Sequence, residues 1–323
     1  MKVSFIIPLY NCLPLTQAML ASLRATLPPG LAHEIILVDD GSTDGTREWL
    51  ASLRDPPFRV VLNERNLGYA GANNRGAALA RGEFLALLNN DLILTARWLE
   101  PMLAVHDRLG ASAGAVGNVQ RHADTGAVDH TGIFINARGK PEHDRILSCR
   151  YLLPGLGWQH ADAVTGACMI VRHDLWRQLG GFDEAYVNGC EDVDFCFRAA
   201  AAGRTNAVAL RSVVRHHVSA SPRRKLRDEE NTYRLTLRWR DTLAGLAARE
   251  WCRNLLEQYR EPSAERAGPG QALAALLYWS RLRFHPPSSV ITRTQFALEN
   301  ELRRWRSMFP HLQPDSRNLS PNR

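Results

Sequence analysis

Four short stretches concentrate the residue types that do chemistry. "EFLALLNNDLIL" (83–94) is an apolar run that ends abruptly in Asn89, Asn90 and Asp91. A strand burying Leu85, Leu87 and Leu88 can finish this way because Asn and Asp form turns, or because the Asp91 carboxylate has something to hold. "ILVDDGSTDGT" sets Asp39 and Asp40 at a strand end, ahead of residues that suit a turn and a helix cap. "EDVDFCFR" places Glu191, Asp192 and Asp194 in a first helical turn, where the helix dipole favours acids. Residues 191 and 194 share one side of such a helix, 192 points elsewhere, and Arg198 stands at ion-pair spacing from Asp194. "VVRHHVSAS" closes a strand-like run on two histidines, a pair that is more often half-buried and structural than ligating.

The elements that must position these groups alternate. "KVSFIIPLY", "HEIILVDD", "RVVLNE" and "EFLALLNND" read as strands. Between and after them, "LPLTQAMLASLRAT", "TDGTREWLASL", "AGANNRGAALARG" and "TARWLEPMLAVHDRLG" have the apolar spacing or caps of helices. This alternation predicts an α/β fold, a mixed and mostly parallel sheet covered by helices on both faces. In such sheets ligands bind beyond the carboxyl ends of the strands, where Tyr10, Asn11, Asp39, Asp40 and Asn89 to Asp91 cluster. From about 111 to 160 the alternation fails, and pieces such as "GAVDHTGIFINARGK" suggest hairpins and loops. "ACMIV" and "AVALRSVVRHH" read as later strands. Beyond Pro222 the chain is Arg-rich, Trp-studded and helical, with "EPSAERAGPG" as a linker and the last dozen residues expected to fray. The glycines of "NLGYAGANNRG" permit close backbone approach, but their spacing fits neither a P-loop nor a dinucleotide fingerprint.

Composition narrows the classes. The 323 residues are 45% hydrophobic and 23% charged, as in an ordinary globular protein of one or two domains. No run of eighteen apolar residues is present, and "MKVSFIIPLYNC" reads as a first strand rather than a leader. Six cysteines without any C-x-x-C argue against a zinc site or disulfide framework and for a reducing, cytoplasmic setting. Residues 222–323 carry 19 Lys and Arg against 11 Asp and Glu, whereas residues 1–221 carry 21 against 22. The basic region suits an anionic membrane surface or polyanion, or is simply a solvated Arg-rich face. It has no finger, RNP or basic-zipper pattern, so no nucleic-acid partner is expected.

"SFIIPLYN", "ILVDDGSTDGT", "NLGYAGANNRGAALARGEFLALLNND", "TGACMIVRHDLW", "GGFDE", "EDVDFCFR" and "VVRHHVSAS" occur in one order. In that order they resemble family 2 inverting glycosyltransferases, and most of all the rhamnosyltransferase-like branch. The resemblance covers roughly residues 1–221. It implies the A-type glycosyltransferase fold, a Rossmann-like nucleotide-diphospho-sugar transferase domain, while residues 222–323 beyond it read from their own pattern as a basic, mainly helical region. That region would contact acceptor or membrane, or pack on the catalytic domain, and Trp239, Trp251, Trp279 and Trp305 serve either reading.

The same resemblance assigns roles. Pro8, Tyr10 and Asp40, with Asp39 nearby, grip the base of a UDP or dTDP donor. Asn74, Asn89, Asn90 and Gly166 line the donor site. Asp91 and His216 are the ligands of a divalent Mn²⁺ or Mg²⁺, ions that suit oxygen donors and neutralise a diphosphate. Asp192 is the general base, with Glu191 in support. Two departures stand out: Asn89 replaces the first Asp of the family's Asp-x-Asp motif, and "VNGCED" lacks the aromatic residues usual before the Glu-Asp pair. The second leaves the acceptor pocket to other elements such as Trp158. The implied reaction moves a sugar, dTDP-rhamnose being one donor, to a saccharide or polyprenyl-linked acceptor at the inner face of the cell membrane. The rival readings are a catalytically silent nucleotide-sugar-binding module and a basic nucleic-acid-binding protein.

Overall fold

The computed structural model describes residues 2–53, 58–148, 157–217, 227–258, 268–280 and 282–312. The 221/222 boundary, the start of the expected linker, Cys149, the "VSAS" after the histidine pair and the expected frayed end lie outside the described residues. The chain begins with β1 (Val3–Leu9), α1 (Leu13–Thr26), β2 (His33–Asp39), α2 (Thr46–Ser52), β3 (Phe58–Leu62), α3 (Gly68–Ala77), β4 (Phe84–Leu88) and β5 (Leu92–Leu94). It continues through α4 (Leu99–Leu109), β6 (Ala113–His122), β7 (Val128–His130), β8 (Ile133–Ile135), β9 (Pro141–His143), β10 (Trp158–His160) and β11 (Cys168–Arg172). Last come α5 (His173–Leu179), α6 (Glu191–Ala201), β12 (Thr205–His216), α7 (Asp228–Gln258), α8 (Pro269–Trp279) and α9 (Ser288–Met308).

Contacts divide it into two compact units: Met1–Phe134 with His143–Lys225, and Ile135–Glu142 with Leu226–Arg323. In the first unit ten strands form one sheet whose main path is β10-β12-β6-β11-β4-β1-β2-β3. β3, β2, β1 and β4 are mutually parallel. β11 runs antiparallel to both β4 and β6, and β12 is parallel to β6. The expected mixed, mostly parallel sheet is therefore borne out. Its strands are near-continuous apolar runs because helices cover both faces. Phe5, Ile7 and Leu9 pack with Met19 and Leu23 of α1 and Leu99 and Met102 of α4. On the opposite face Ile36 and Val38 meet Ala72 of α3. Helix α3 is built from small residues because it lies close: a Cβ on Gly76 would meet Ile6 Cγ2 at 2.6 Å.

One expectation needs correcting. The stretch after residue 111 is not only hairpins, since β6 is a ten-residue strand in the middle of the sheet with eight buried residues. Its Ala, Gly and Asn have poor intrinsic strand preference, and burial between β11 and β12 overrides it.

The second unit is helical. α7 packs with α8 and α9 around Ala248, Cys252, Ala275, Tyr278 and Val290, and separately around Tyr233, Leu302 and Trp305. Trp239 has non-helical backbone angles and kinks α7. Trp305 is buried, and Trp251 is partly buried with its Nε1–H donating to Ala137 O at 3.0 Å. Packing within this unit therefore accounts for two of the four tryptophans, whereas Trp279 is exposed. Among the described residues no helix is long and apolar enough to cross a membrane.

Candidate active site

The turns after β1 and β2 lock together at the carboxyl edge of the sheet. Asn11 and Cys12 take left-handed backbone angles, φ 56° and 60°. The Asn11 side chain accepts from Thr43 N at 2.8 Å, and Asn11 N donates to Ser42 Oγ at 2.8 Å. Asp39 is fully buried and committed to this turn. It accepts from the backbone of Gly41 and Ser42 and from Arg47 Nε at 2.7 Å. Asp40 Oδ1 accepts from Asn63 Nδ2 at 2.7 Å and Leu67 N at 2.8 Å, and its Oδ2 accepts from Gly68 N at 2.9 Å. A carboxylate has about four acceptor positions, so one direction on Oδ2 stays available. Tyr10 stands beside these groups with 53% of its surface in solvent, and Pro8 is half-buried behind it.

Chain pairing brings the next groups together. β5 pairs antiparallel with β12 so that His216 faces Leu92 across the ladder. His216 Nε2 thereby reaches 3.1 Å from Asp91 Oδ1, and His217 N donates to Asp91 O at 3.0 Å. Although close, the pair is not aligned as a hydrogen bond, so Asp91 Oδ1 has this ion-pair contact but no hydrogen-bond donor, and His216 Nδ1 is buried without a hydrogen-bond partner. A buried carboxylate oxygen lacking any donor is costly unless a cation meets it. Carboxylate oxygen and imidazole nitrogen fit Mn²⁺ or Mg²⁺ as a donor set. Among the described residues no group of three or more His, Cys, Asp or Glu is placed to hold a metal, so further ligands would come from a bound diphosphate and water.

The Asn pair before Asp91 diverges. Asn89 N donates to Ala167 O at 2.9 Å and its buried Oδ1 has no partner. Asn90 turns toward α1 and donates to Thr16 Oγ1 at 2.9 Å.

A second carboxylate group sits at the start of α6. Asn188 (φ 55°) and Cys190 (φ 70°) hold a strained, left-handed turn before it. Asp192 is nearly buried, its Oδ2 accepting from Gly166 N and its Oδ1 from Val193 N, each at 2.8 Å. Glu191 Oε2 accepts from Gly189 N at 2.6 Å. Asp194 is fully buried and paired with Arg198 Nε at 2.8 Å, the ion pair its spacing suggests. Gly166 links two elements, since its carbonyl accepts from Tyr69 Oη at 2.6 Å while its N–H holds Asp192. A Cβ there would meet Tyr69 Oη at 2.9 Å, so only glycine fits without a shift.

Two expected site residues have other engagements. Asn74 donates to Phe182 O and Glu184 Oε1 and accepts from Phe182 N, all at 2.9 Å, which staples α3 to the "GGFDE" loop. Trp158 lies on strand β10 at the end of the sheet path and packs on the core. Sequence reasoning missed Tyr69 and Asn63. The signal for Tyr69 was available, as a single aromatic ring in a helix of small residues. Asn188 Oδ1 accepts from Tyr69 N at 3.0 Å, a contact visible only once α3 and the loop before α6 are adjacent.

The family model "Glycosyl transferase family 2" matches residues 4–179. The chain is 30% identical to the O-antigen biosynthesis protein RfbC of Myxococcus xanthus over 69% of its own length and 18% of that protein's. It is 29% identical to the N-acetylglucosaminyl-diphospho-decaprenol L-rhamnosyltransferase of Mycobacterium tuberculosis, covering 66% of this chain and 75% of that one. Among solved structures, GalNAc-T7 with UDP, GalNAc and Mn²⁺ shares the fold at a TM-score of 0.62 and 15% identity, over 96% of this chain and 58% of that one. The chain spans less than a third of the length of RfbC and of two other curated relatives it matches.

Proposed function

The chain belongs to glycosyl transferase family 2, and from that premise we propose a metal-assisted, inverting transfer of one sugar from a nucleotide diphosphate to a hydroxyl of a saccharide or lipid-linked acceptor. The observation that carries this reading is the Asp91–His216 pair, whose buried carboxylate oxygen has no donor. A divalent cation bound there would offset the charge of the diphosphate as it leaves.

The remaining work falls to the chain itself. Tyr10 offers an exposed ring for stacking on the base, and Asp40 keeps one acceptor direction for a base N–H. Asp192, fixed by two backbone N–H groups, takes the proton of the acceptor hydroxyl. The acceptor oxygen attacks the anomeric carbon from the face opposite the diphosphate, and the bonding pair of the broken C–O bond leaves with the phosphate. Glu191 holds the turn that aims Asp192. The relatives in O-antigen synthesis and rhamnosyl transfer support a surface-glycan product and rhamnose as one transferred sugar. Free thiols at Cys12, Cys168, Cys196 and Cys252 fit a reducing, cytoplasmic site of action. The basic C-terminal region supports peripheral contact with an anionic membrane that carries the acceptor.

Calorimetry of UDP and of dTDP, each with Mn²⁺ and with EDTA, tests the reading. Wild type binds one of them only with metal, and Asp91→Ala loses that binding. Absence of binding by either nucleotide with Mn²⁺ would take the donor assignment down.

A further inference from the structure

Helix α8, "PGQALAALLYW", contains no charged residue, and apolar side chains run all around it. A helix of that kind normally has its whole circumference covered. Here one side is covered, by packing of Ala275 and Tyr278 against the partly buried Trp251, Leu255 and Leu256 of α7. The other side is in water: Leu273, Leu276 and Trp279 are 58%, 45% and 46% exposed. The chain then turns back on the helix end, with the N–H groups of Leu282 and Arg283 both donating to Leu277 O at 2.9 and 3.0 Å. This turn adds Leu282 (76% exposed) and Phe284 (93% exposed) to the same end of α8.

The charge along this stretch of chain has one sign. Residues 268–298 contain Arg281, Arg283 and Arg293 and no Asp or Glu. Arg283 and Arg293 are exposed. We infer that the α8 face and the turn after it dock on an anionic lipid surface, with Leu282, Phe284 and Trp279 entering the headgroup boundary and Arg283 meeting lipid phosphates. A Trp ring with an apolar body and a polar N–H suits that depth, and nearby arginines supply the attraction to anionic lipid. A second copy of the chain is a poorer occupant. A two-fold contact would bring the same arginines face to face, with no acidic residue in the stretch to answer them.

This inference makes specific the membrane contact in the reading above, and its test reads lipid binding alone. The full chain is sedimented with vesicles of phosphatidylcholine, and with vesicles in which part of that lipid is replaced by phosphatidylglycerol, at low and high salt. Wild type pellets with the anionic vesicles roughly tenfold better than with the neutral ones, and high salt weakens it. The double variant Leu282→Asp/Phe284→Asp loses that binding, and Arg283→Glu reduces it, while circular dichroism of both stays that of wild type. Nucleotide binding by the double variant matches wild type, so failure here and failure of the donor assignment stay separable. Wild type that remains in the supernatant with both vesicles, or a double variant that pellets like wild type, overturns the proposal. So does a concentration-dependent dimer that the double variant abolishes without any lipid binding.

Discussion

Asp40 and Asp192 of the first unit and the surface carboxylates of the second are held in opposite ways. In the first, Asp40 and Asp192 are buried and gripped by backbone N–H groups and, for Asp40, the Asn63 amide. In the second, Glu229, Glu299 and Glu301 sit on helix surfaces and meet Arg240, Arg304, Arg306 and Lys140 through half-solvated side chains. Backbone donors fix a carboxylate in position and orientation, which is what chemistry on a bound substrate requires. Long side chains in water give weak, salt-screened support and leave position loose. The contrast is a physical argument, separate from the family likeness, for the proposal that the reactive groups lie in the first unit.

The largest expected effect tests that placement directly. Asp192→Asn keeps the size and one acceptor but removes the proposed base, and turnover, followed as nucleotide release with donor and acceptor present, should fall by about 10²–10⁴-fold. Its nucleotide affinity by calorimetry should stay near wild type. Undiminished turnover would show that a firmly held carboxylate here is only structural. Next comes Asp40→Ala, which strands the Asn63 amide and the Leu67 and Gly68 N–H groups at the start of α3. Denaturant unfolding should show a loss of about 3 kcal/mol. A loss below about 1 kcal/mol would erase the difference between the two units.

What the sequence made legible follows the same division. β1, β2 and β4 were plain because strands buried on both faces are long apolar runs. β6 was hidden because its neighbours, not its small residues, make it a strand. The Asp194–Arg198 pair was readable, since i,i+4 spacing on a helix is a local fact. Residues 91 and 216 were named from the resemblance, but their 3.1 Å approach depends on the β5–β12 register, which no local pattern encodes. The engagement of Asn74 was illegible for the same reason, because its partners lie in a loop more than a hundred residues away.

A third test uses burial itself. His106 on α4 is buried, and its Nε2–H donates to Ile170 O at 3.1 Å. Burial, with Arg172 adding to it against the opposing pull of that carbonyl, lowers its pKa from 6.5 to about 4. The unfolded chain therefore takes up this proton first, and stability present above the ordinary histidine value is lost as pH falls between the two. From about pH 7 to about pH 5 the loss from this residue should be roughly 2 kcal/mol. His106→Gln retains an N–H donor without the titration, so its unfolding free energy should fall less steeply over that range. An unchanged slope would mean that the ring is solvated in the folded protein.

The smallest effect is expected at the best-connected surface carboxylate. Glu229 accepts from Trp305 Nε1, from Arg304 Nη2 and from Lys140 Nζ at 3.3 Å. Burial alone would raise its pKa, but these donors and the Lys140 charge outweigh it and hold the group at about 2. The sign is that of a lowered carboxylate: the stabilisation is present above the ordinary value near 4.5 and is lost as pH falls from there toward about 2. The Glu229 side chain is 43% exposed, so solvent screening cuts the contribution well below what the shift suggests. Glu229→Gln, which still offers Trp305 an acceptor, should cost less than about 1 kcal/mol at neutral pH, and less again in high salt. A loss matching that of Asp40→Ala would mean that the side chains of an arginine, a lysine and a tryptophan fix a carboxylate as firmly as backbone turns do. Placing the chemistry in the first unit would then rest on the family likeness alone.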